Sequence, residues 1–164
     1  MRQTTTRRDE GVTVPRISPF LWFDDAAEEA ATFYASVFPN SSVTVQSRNP
    51  EGKAFGVTFV LDGFEVSAMN AGPLYTFSEA VSFYIDVETQ DEIDYYWNAL
   101  LADGGEESRC GWLKDRFGFS WQVVPKRLGE LMNAPDAAAA ARATQAMMGM
   151  RKLVIADLEA AAAG

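Results

Sequence analysis

One pattern of strand and helix occurs twice in the sequence, and this duplication restricts the possible folds more than any other feature. Residues 17–23 and 81–87 have the composition of strands, and each is followed by a capping-box pair and a helix with one apolar stripe. The cap pairs are Asp25 with Glu28 and Thr89 with Glu92. The strands and caps are offset by 64 residues and the helix stripes by 63. Because order, phase and spacing repeat, we infer an internal duplication of a strand–helix unit.

Each predicted helix is followed by three predicted antiparallel strands. They span 42–47, 54–61 and 64–70 in the first half, and 107–112, 113–117 and 119–125 in the second. The predicted fold class is α+β, with two pseudo-symmetric halves whose sheets could pack side by side around a partly closed, barrel-like cleft. We expect residues 1–14 to form a flexible tail and 15–125 the paired domain. Residues 126–164 are predicted to be a C-terminal helical extension with a short strand at 151–155, which covers a sheet edge or contacts a second subunit.

The chain contains no histidine, and this excludes several classes of active site. Ser-His-Asp triads, Cys-His dyads and His-ligated zinc or iron sites all require imidazole. The formal net charge of −9 repels phosphate backbones and anionic lipid, so nucleic acid and membrane surfaces are poor partners. The single cysteine and the lack of an apolar leader predict a cytoplasmic protein without disulfides.

Alternation along the predicted strands indicates which side chains could line a binding site. In the first strand, Leu21 and Phe23 lie on the apolar side expected under the helix, whereas Ser18, Phe20 and Trp22 lie on the other side. The mixed sides of the other strands contribute Ser67, Met69, Ser82, Tyr84 and Gln122. A cavity lined by such aromatic, hydroxyl and amide groups suits a small apolar or aromatic ligand. The pattern is equally compatible with a solvated face of a half-buried sheet.

Five segments of the sequence carry a resemblance to a known family. They are ISPFLWFDDAAEEAATFYASVFPNS, LDGFEVSAMNAGP, FSEAVSFYIDVETQDEIDYYWNALLADGG, CGWLKDRFGFSWQVVP and AMMGMRKLVIADLEAA. Together they resemble the PhnB-like family, whose members often carry the label 3-demethylubiquinone-9 3-methyltransferase. This family belongs to the vicinal oxygen chelate superfamily, with glyoxalase I, bleomycin-resistance proteins and extradiol dioxygenases. The resemblance implies paired βαβββ modules and a homodimer.

The resemblance also implies where a metal ion would bind, because metal-dependent members of the superfamily use four strand positions. On this chain those positions are Ser18, Ser67, Ser82 and Gln122. Hydroxyls and an amide are weak neutral ligands, whereas divalent transition metals prefer imidazole, thiolate or carboxylate. We therefore expect neither a catalytic metal nor a cofactor. The two strand–helix turns contain no glycine, so the sequence also lacks the turn that binds S-adenosylmethionine in doubly wound methyltransferases.

Four further residues are candidates for chemistry. Cys110 follows an arginine, which favours the thiolate, although a lone cysteine is more often a small core residue. Trp112 and Lys114 are predicted at a strand end beside the cleft, where Lys114 could anchor a ligand anion or merely pair with Asp115 on the surface. Asp86 could act as a base if it faces the cleft.

The sequence therefore predicts a binding protein for a small hydrophobic or aromatic compound, acting without metal. The predicted ligand-binding residues are Ser18, Phe20, Trp22, Ser67, Met69, Ser82, Tyr84, Cys110, Trp112, Lys114 and Gln122. Two alternatives stay open. One is a metal-independent enzyme that uses Cys110, Lys114 or Asp86, and the other is a dimer with a vestigial pocket that serves as an interaction platform.

Overall fold

The first half of the chain folds into a helix and a four-stranded sheet. The computed structural model describes residues 17–164, so the predicted tail at 1–14 lies outside the described residues. The elements are β1 (Phe20–Phe23), α1 (Ala27–Val37), β2 (Ser42–Arg48), β3 (Ala54–Leu61) and β4 (Phe64–Asn70). The strand order is β1-β4-β3-β2, with β1 parallel to β4 and the other neighbours antiparallel. β1 begins later than predicted, after Pro19, which has no N–H to donate to a strand neighbour.

The second half repeats this arrangement. Its elements are β5 (Ser82–Val87), α2 (Gln90–Leu101), β6 (Glu106–Glu107), β7 (Trp112–Lys114) and β8 (Ser120–Pro125). The strand order β5-β8-β7-β6 is equivalent to that of the first sheet, and β5 is parallel to β8. Phe20 pairs with Ser67 in the first sheet, as Tyr84 pairs with Gln122 in the second. The predicted α+β fold class and the duplication are thus confirmed, and each half forms an open sheet.

The strands predicted at 107–112 and 113–117 are mostly absent. β6 has two residues and β7 has three, because the chain turns between them. Cys110 and Gly111 have φ angles of 57° and 83°, in the left-handed region, which strands do not use. Their N–H groups donate to the carbonyl oxygens of Met150 and Arg151, both at 2.8 Å. The short strand predicted at 151–155 is likewise not formed. Instead, the carbonyl groups of Met150 and Arg151 accept these two hydrogen bonds from the turn.

The two helices begin differently, although the sequence predicts a capping box for both. At α2 the box is present: Glu92 N–H donates to the Thr89 side chain at 3.2 Å, and Thr89 N–H donates to the Glu92 carboxylate at 3.0 Å. At α1 the box is absent, because Asp25 and Glu28 bind Lys53 and Arg48 instead. The N–H of Ala27 donates to the side-chain oxygen of Asn70 in β4, at 2.7 Å. A residue distant in sequence therefore provides the cap.

A single core joins the two halves, and the apolar sides of both sheets face it. Tyr34 of α1 is fully buried, and its ring lies 5.7 Å from Phe59 of β3 and 5.1 Å from Trp121 of β8. Phe38 stacks on Trp121 and on Tyr96 of α2, at 5.4 and 5.2 Å. Burial of each large apolar side chain contributes roughly 1.5–3 kcal/mol, so this aromatic contact holds the halves together. The mixed sides of both sheets point away from the shared core.

The residues after β8 form three helices, α3 (Lys126–Met132), α4 (Ala137–Gly149) and α5 (Ile155–Ala163). They bury a second, smaller core with Val124 of β8. The segment packs on its own chain: the Gln90 amide bonds Leu153 O and Ile155 N–H, and Lys152 pairs with Asp94. Within residues 17–164, no helix has the length and apolar character needed to cross a membrane. The cytoplasmic location stays a prediction.

Candidate functional site

The side of the first sheet that points away from the core carries part of the predicted site. We call it the first face. Strand alternation places Phe20 and Trp22 of β1 on it, in register with Ser67 and Met69 of β4. Phe20 is 62% exposed, and Ser18 precedes β1 with its side chain also exposed. The first face therefore combines exposed aromatic surface with hydroxyl groups.

The equivalent side of the second sheet, which we call the second face, carries the rest. Ser82 and Tyr84 of β5 are in register with Ser120 and Gln122 of β8, which are in turn paired with Lys114 and Trp112 of β7. Tyr84 is 55% exposed, and burial together with the nearby Asp86 carboxylate raises its pKa. Asp86 itself is exposed at the strand end. The helical segment after β8 covers the Val124 end of this face.

The connection between the halves, residues 71–81, covers the edges of both faces. Its Gly72 carbonyl accepts a hydrogen bond from the indole of Trp22 at 2.8 Å, and its Tyr75 ring meets the Trp22 ring edge-on at 5.0 Å. Glu79 forms an ion pair with Lys114, which holds the pKa of the Glu79 carboxyl below its ordinary value. We call residues 71–81 the connecting loop. It shields part of each face from solvent.

Several cavities border these faces. One of about 330 Å³ is lined by Phe20, Trp22 and the connecting loop. Another of about 500 Å³ runs along β5, past Ser82 and Tyr84. A third of about 430 Å³ includes both Trp22 and Lys114. A larger cavity of about 590 Å³ beside α1 contains none of the predicted residues, and its charged rim is paired internally.

The predicted residues are only partly brought together. Ser18, Phe20, Trp22, Ser67 and Met69 share the first face, and Ser82, Tyr84, Trp112, Lys114 and Gln122 share the second. Both sheets turn their apolar sides toward the shared core, so the two faces lie on its outer sides. Contact between the two groups of residues is confined to the end where the third cavity joins Trp22 to Lys114.

Cys110 lies apart from both faces. Its sulfur is 3.9 Å from the sulfur of Met148, and its N–H binds Met150 of the segment that follows β8. Gly111, next to it, has its Cα against the Val123 carbonyl, where a Cβ would approach to 2.8 Å. The surroundings of Cys110 therefore serve to dock the C-terminal helices.

The four positions at which the resemblance implies a metal ion carry side chains that are weak ligands for a divalent transition metal. Ser18 and Ser67 belong to the first face, and Ser82 and Gln122 to the second. The Gln122 amide donates to the Ser82 hydroxyl at 2.8 Å, so these two groups satisfy each other. All four donors are neutral oxygen or nitrogen groups, which bind such metals weakly. In residues 17–164, no group of three or more His, Cys, Asp or Glu side chains could hold a metal ion.

Asp115 is not the surface partner of Lys114 considered from the sequence. It is buried, 3% exposed, and its carboxylate accepts four hydrogen bonds. The donors are Tyr34 Oη at 2.7 Å, Trp121 Nε1 at 2.8 Å, Phe117 N at 2.9 Å and Phe119 N at 3.1 Å. Burial raises the pKa of the Asp115 carboxyl, and these hydrogen bonds oppose that rise. Burial and the Asp115 charge also raise the pKa of Tyr34.

Two residues at or beside the second face are not among the predicted ligand-binding residues. Glu79 lies in the connecting loop, which has no periodicity, so nothing in the sequence connects it with Lys114. Ser120 alternates with Phe119 and Trp121, which places it on the mixed side, but alternation does not indicate that it is buried. Strand alternation could have identified Ser120, whereas no sequence signal could have identified Glu79.

Comparisons with known proteins agree with this architecture. Residues 15–124 match the model of a family described as 3-demethylubiquinone-9 3-methyltransferase. The structure of the PhnB protein from Bacillus cereus is 33% identical, with a TM-score of 0.62, and the match covers 68% of this chain and 99% of that one. A protein from Pseudomonas aeruginosa is 23% identical, with a TM-score of 0.56 and coverages of 68% and 98%, and therefore shows the fold alone.

The fosfomycin resistance protein FosX from Listeria monocytogenes, in complex with Mn(II), also shares the fold. It is 17% identical, with a TM-score of 0.50, and the match covers 68% of this chain and 92% of that one. No curated protein matches the chain significantly. The segment matched by the family model ends at residue 124, so α3, α4 and α5 lie beyond it.

Proposed function

We propose that this chain, which belongs to the 3-demethylubiquinone-9 3-methyltransferase (PhnB-like) family, binds a small apolar or aromatic compound on the outer faces of its sheets. The observation that carries the proposal is the exposure of Phe20 and Tyr84, at 62% and 55%, on strands whose other sides pack against the shared core. A ligand that covers exposed aromatic side chains removes apolar surface from water, which favours binding. The adjacent Ser67 hydroxyl and Gln122 amide supply the few polar contacts that orient such a ligand.

The proposed active form is a homodimer. Because the shared core separates the two faces of one chain, a ligand enclosed between both kinds of face needs a second copy. In this arrangement the first face of one protomer lies opposite the second face of its partner. The exposed apolar side chains near the sheet edges support this interface: they are Ile17, Phe20, Leu74, Tyr75, Val81 and Tyr84. A dimer interface over these side chains would remove their apolar surface from water.

Binding is proposed to occur without a metal ion and without methyl transfer. The neutral donors at Ser18, Ser67, Ser82 and Gln122 favour hydrogen bonding to a ligand over coordination of a metal. The family description refers to a methyltransferase, but the turns before α1 and α2 lack the glycine of the turn that binds S-adenosylmethionine in doubly wound methyltransferases.

A neutral fluorescent probe tests the binding proposal. N-phenyl-1-naphthylamine brightens in apolar sites and accepts excitation energy from nearby tryptophan. Trp22 and Trp112 are half-buried on the two faces, whereas Trp97 and Trp121 are buried in the core. We expect saturable binding that Trp22→Ala weakens by at least about tenfold. Tyr95→Ala, which removes an exposed aromatic side chain of α2 that lies on neither face, is the control and should leave binding unchanged.

Two results would contradict the binding proposal. The first is a probe signal that does not saturate, and the second is equal affinity in the wild type, Trp22→Ala and Trp112→Ala. Native mass spectrometry of gently purified protein tests the proposed dimer, the absence of a metal and the presence of a bound compound. We expect a dimer without metal that carries an organic compound. Stoichiometric Ni, Mn, Zn or Fe would contradict the metal-free proposal.

A further inference from the structure

The hydroxyl group of Ser120 is buried without a hydrogen-bond partner. The residue is 1% exposed, and its Oγ is the single buried side-chain nitrogen or oxygen atom that lacks a partner among residues 17–164. Burying a hydroxyl group unpaired is unfavourable, so such a group calls for an explanation. Ser120 lines a cavity of about 140 Å³ on the second face. A ligand group placed in this cavity would satisfy the hydroxyl.

A lysine lines the same cavity, and its ammonium group already binds a carboxylate. Lys114 of β7 is directly paired with Ser120 of β8 and lines the same cavity. Its ammonium group binds the carboxylate of Glu79, which the connecting loop supplies. The Glu79 side chain is 64% exposed, whereas that of Lys114 is 34% exposed. The carboxylate can therefore leave toward solvent without disturbing the sheet.

Lys114 also lines a second, larger cavity. This cavity of about 430 Å³ has the aromatic residues Trp22, Phe23, Tyr75, Phe77 and Phe117 in its lining, together with the charged Asp24, Asp25 and Arg116. Lys114 thus belongs both to a space with aromatic walls and to a space that contains an unpaired hydroxyl. A molecule with a ring and an acidic group matches both.

We infer that Lys114 and Ser120 bind the carboxylate of a small aromatic carboxylic acid, and that Glu79 holds this position in the free protein. The inference rests on the proposed function and specifies the chemical class of its ligand. Lys114 would donate a charge-assisted hydrogen bond and Ser120 a neutral one. The ring would lie beside Trp22 in the aromatic cavity.

The surrounding charges favour a carboxylate over a group of higher charge. Exchange of the Glu79 carboxylate for that of the ligand leaves the charge next to Lys114 unchanged. Glu106 and Glu107 also line the small cavity. The Glu107 carboxylate is bound by Arg151 and by the Trp97 indole, both at 3.3 Å, whereas Glu106 is exposed and adds negative potential near Lys114. A dianion such as a phosphate monoester would be repelled more strongly.

Fluorine NMR with 4-fluorobenzoate as the probe tests this inference, and 4-fluorobenzamide is its neutral isostere. We expect the wild type to bind the benzoate more tightly than the amide. Lys114→Met should weaken benzoate binding by between about tenfold and a hundredfold, the range for a hydrogen bond to a charged group. Lys152→Met is the matched control, because Lys152 is 33% exposed and paired with Asp94. It should leave binding unchanged.

Variants of Glu79 and Ser120 should change the affinity for benzoate in opposite directions. Glu79→Gln removes the internal competitor and should tighten benzoate binding by about two- to fivefold, as the strength of an exposed ion pair suggests. Glu88→Gln, which removes a comparable exposed partner of Lys126, should not. Ser120→Ala should weaken benzoate binding without lowering the thermal unfolding midpoint, because the hydroxyl has no partner in the free protein.

The outcomes separate this inference from the proposed function. If N-phenyl-1-naphthylamine binds saturably but benzoate binds no better than the amide, the carboxylate site is wrong and the proposed function stands. The same holds if Lys114→Met has no effect or Glu79→Gln weakens benzoate binding. If neither the naphthylamine nor the benzoate binds, the proposed function is wrong.

Discussion

The buried carboxylate of Asp115 shows how one side chain can join two duplicated halves. Its two oxygens accept hydrogen bonds from Tyr34 of α1, from Trp121 of β8 and from the backbone of the turn between β7 and β8. Burying a carboxylate costs desolvation free energy, and the four hydrogen bonds that it accepts offset this cost. The pattern of the sequence could not reveal this, because the Tyr34 donor lies 81 positions away.

Asp115→Asn should destabilise the protein by about 2–4 kcal/mol, because the amide replaces one acceptor oxygen by a donor that faces two other donors. Tyr34→Phe, which removes a single donor, should cost about 1 kcal/mol. Urea unfolding followed by tryptophan fluorescence measures both. Asp103→Asn is the control, since its side chain is 78% exposed, and should change stability by less than about 0.5 kcal/mol. Equal effects of the two Asp variants would contradict the structural role of Asp115.

Helix ends illustrate how far local sequence determines an element. The capping box at α2 needs only Thr89 and Glu92, three positions apart, and it forms as predicted. The same spacing at α1 fails, because Asp25 lies opposite Lys53 and Asn70 takes over the cap. A local motif is therefore predictable only where no tertiary partner competes for its side chains. The turn at Cys110 was unpredictable for a similar reason, since it depends on the docking of residues 150–151.

The difference between the two caps predicts different mutational effects. Thr89→Ala should lower the free energy of unfolding by about 1 kcal/mol, because it removes the acceptor of the Glu92 N–H. Asp25→Ala should change it by only a few tenths of a kcal/mol, because Asp25 caps no helix and forms an exposed ion pair. Thermal or urea unfolding of the two variants decides this. A larger loss for Asp25→Ala would show that α1 uses the predicted box after all.

The α2 cap should also depend on pH. The N–H groups of Glu88 and Thr89 donate to the Glu92 carboxylate and lower its pKa from the ordinary 4.5. A folded-state pKa below the unfolded value gives stability that is present above pH 4.5 and lost as the pH falls through the folded value. Glu92→Gln should therefore be less stable than the wild type at pH 7, and the difference should shrink as the pH falls below 4.5 through the folded-state pKa. Glu51→Gln, in an exposed loop, should show no such difference.

At the scale of the whole molecule, the sequence predicted the elements of each half but not how the two halves pack against each other. Periodicity identifies β3 and α2, because each buries one side against its own half. How the halves pack depends on contacts such as Tyr34 with Trp121, which alternation does not specify. The sequence therefore assigned Phe20 and Tyr84 to mixed faces, but it did not specify that both faces lie outside the shared core. The enclosure of a ligand by a second copy is the proposal that most needs a test.

Tyr84→Glu should convert the proposed homodimer into monomers, because it puts a charge at the middle of the second face, where Tyr84 is 55% exposed. A stable dimer buries roughly 1,200–2,000 Å² in total. An unpaired charge buried in that interface costs more free energy than the remaining contacts of the interface supply. Size-exclusion chromatography with light scattering measures the mass of wild type and variant. Met148→Glu is the matched control at 56% exposure in the C-terminal helical segment and should stay dimeric. A monomeric wild type, or a dimeric Tyr84→Glu variant, would place the ligand on a single open face.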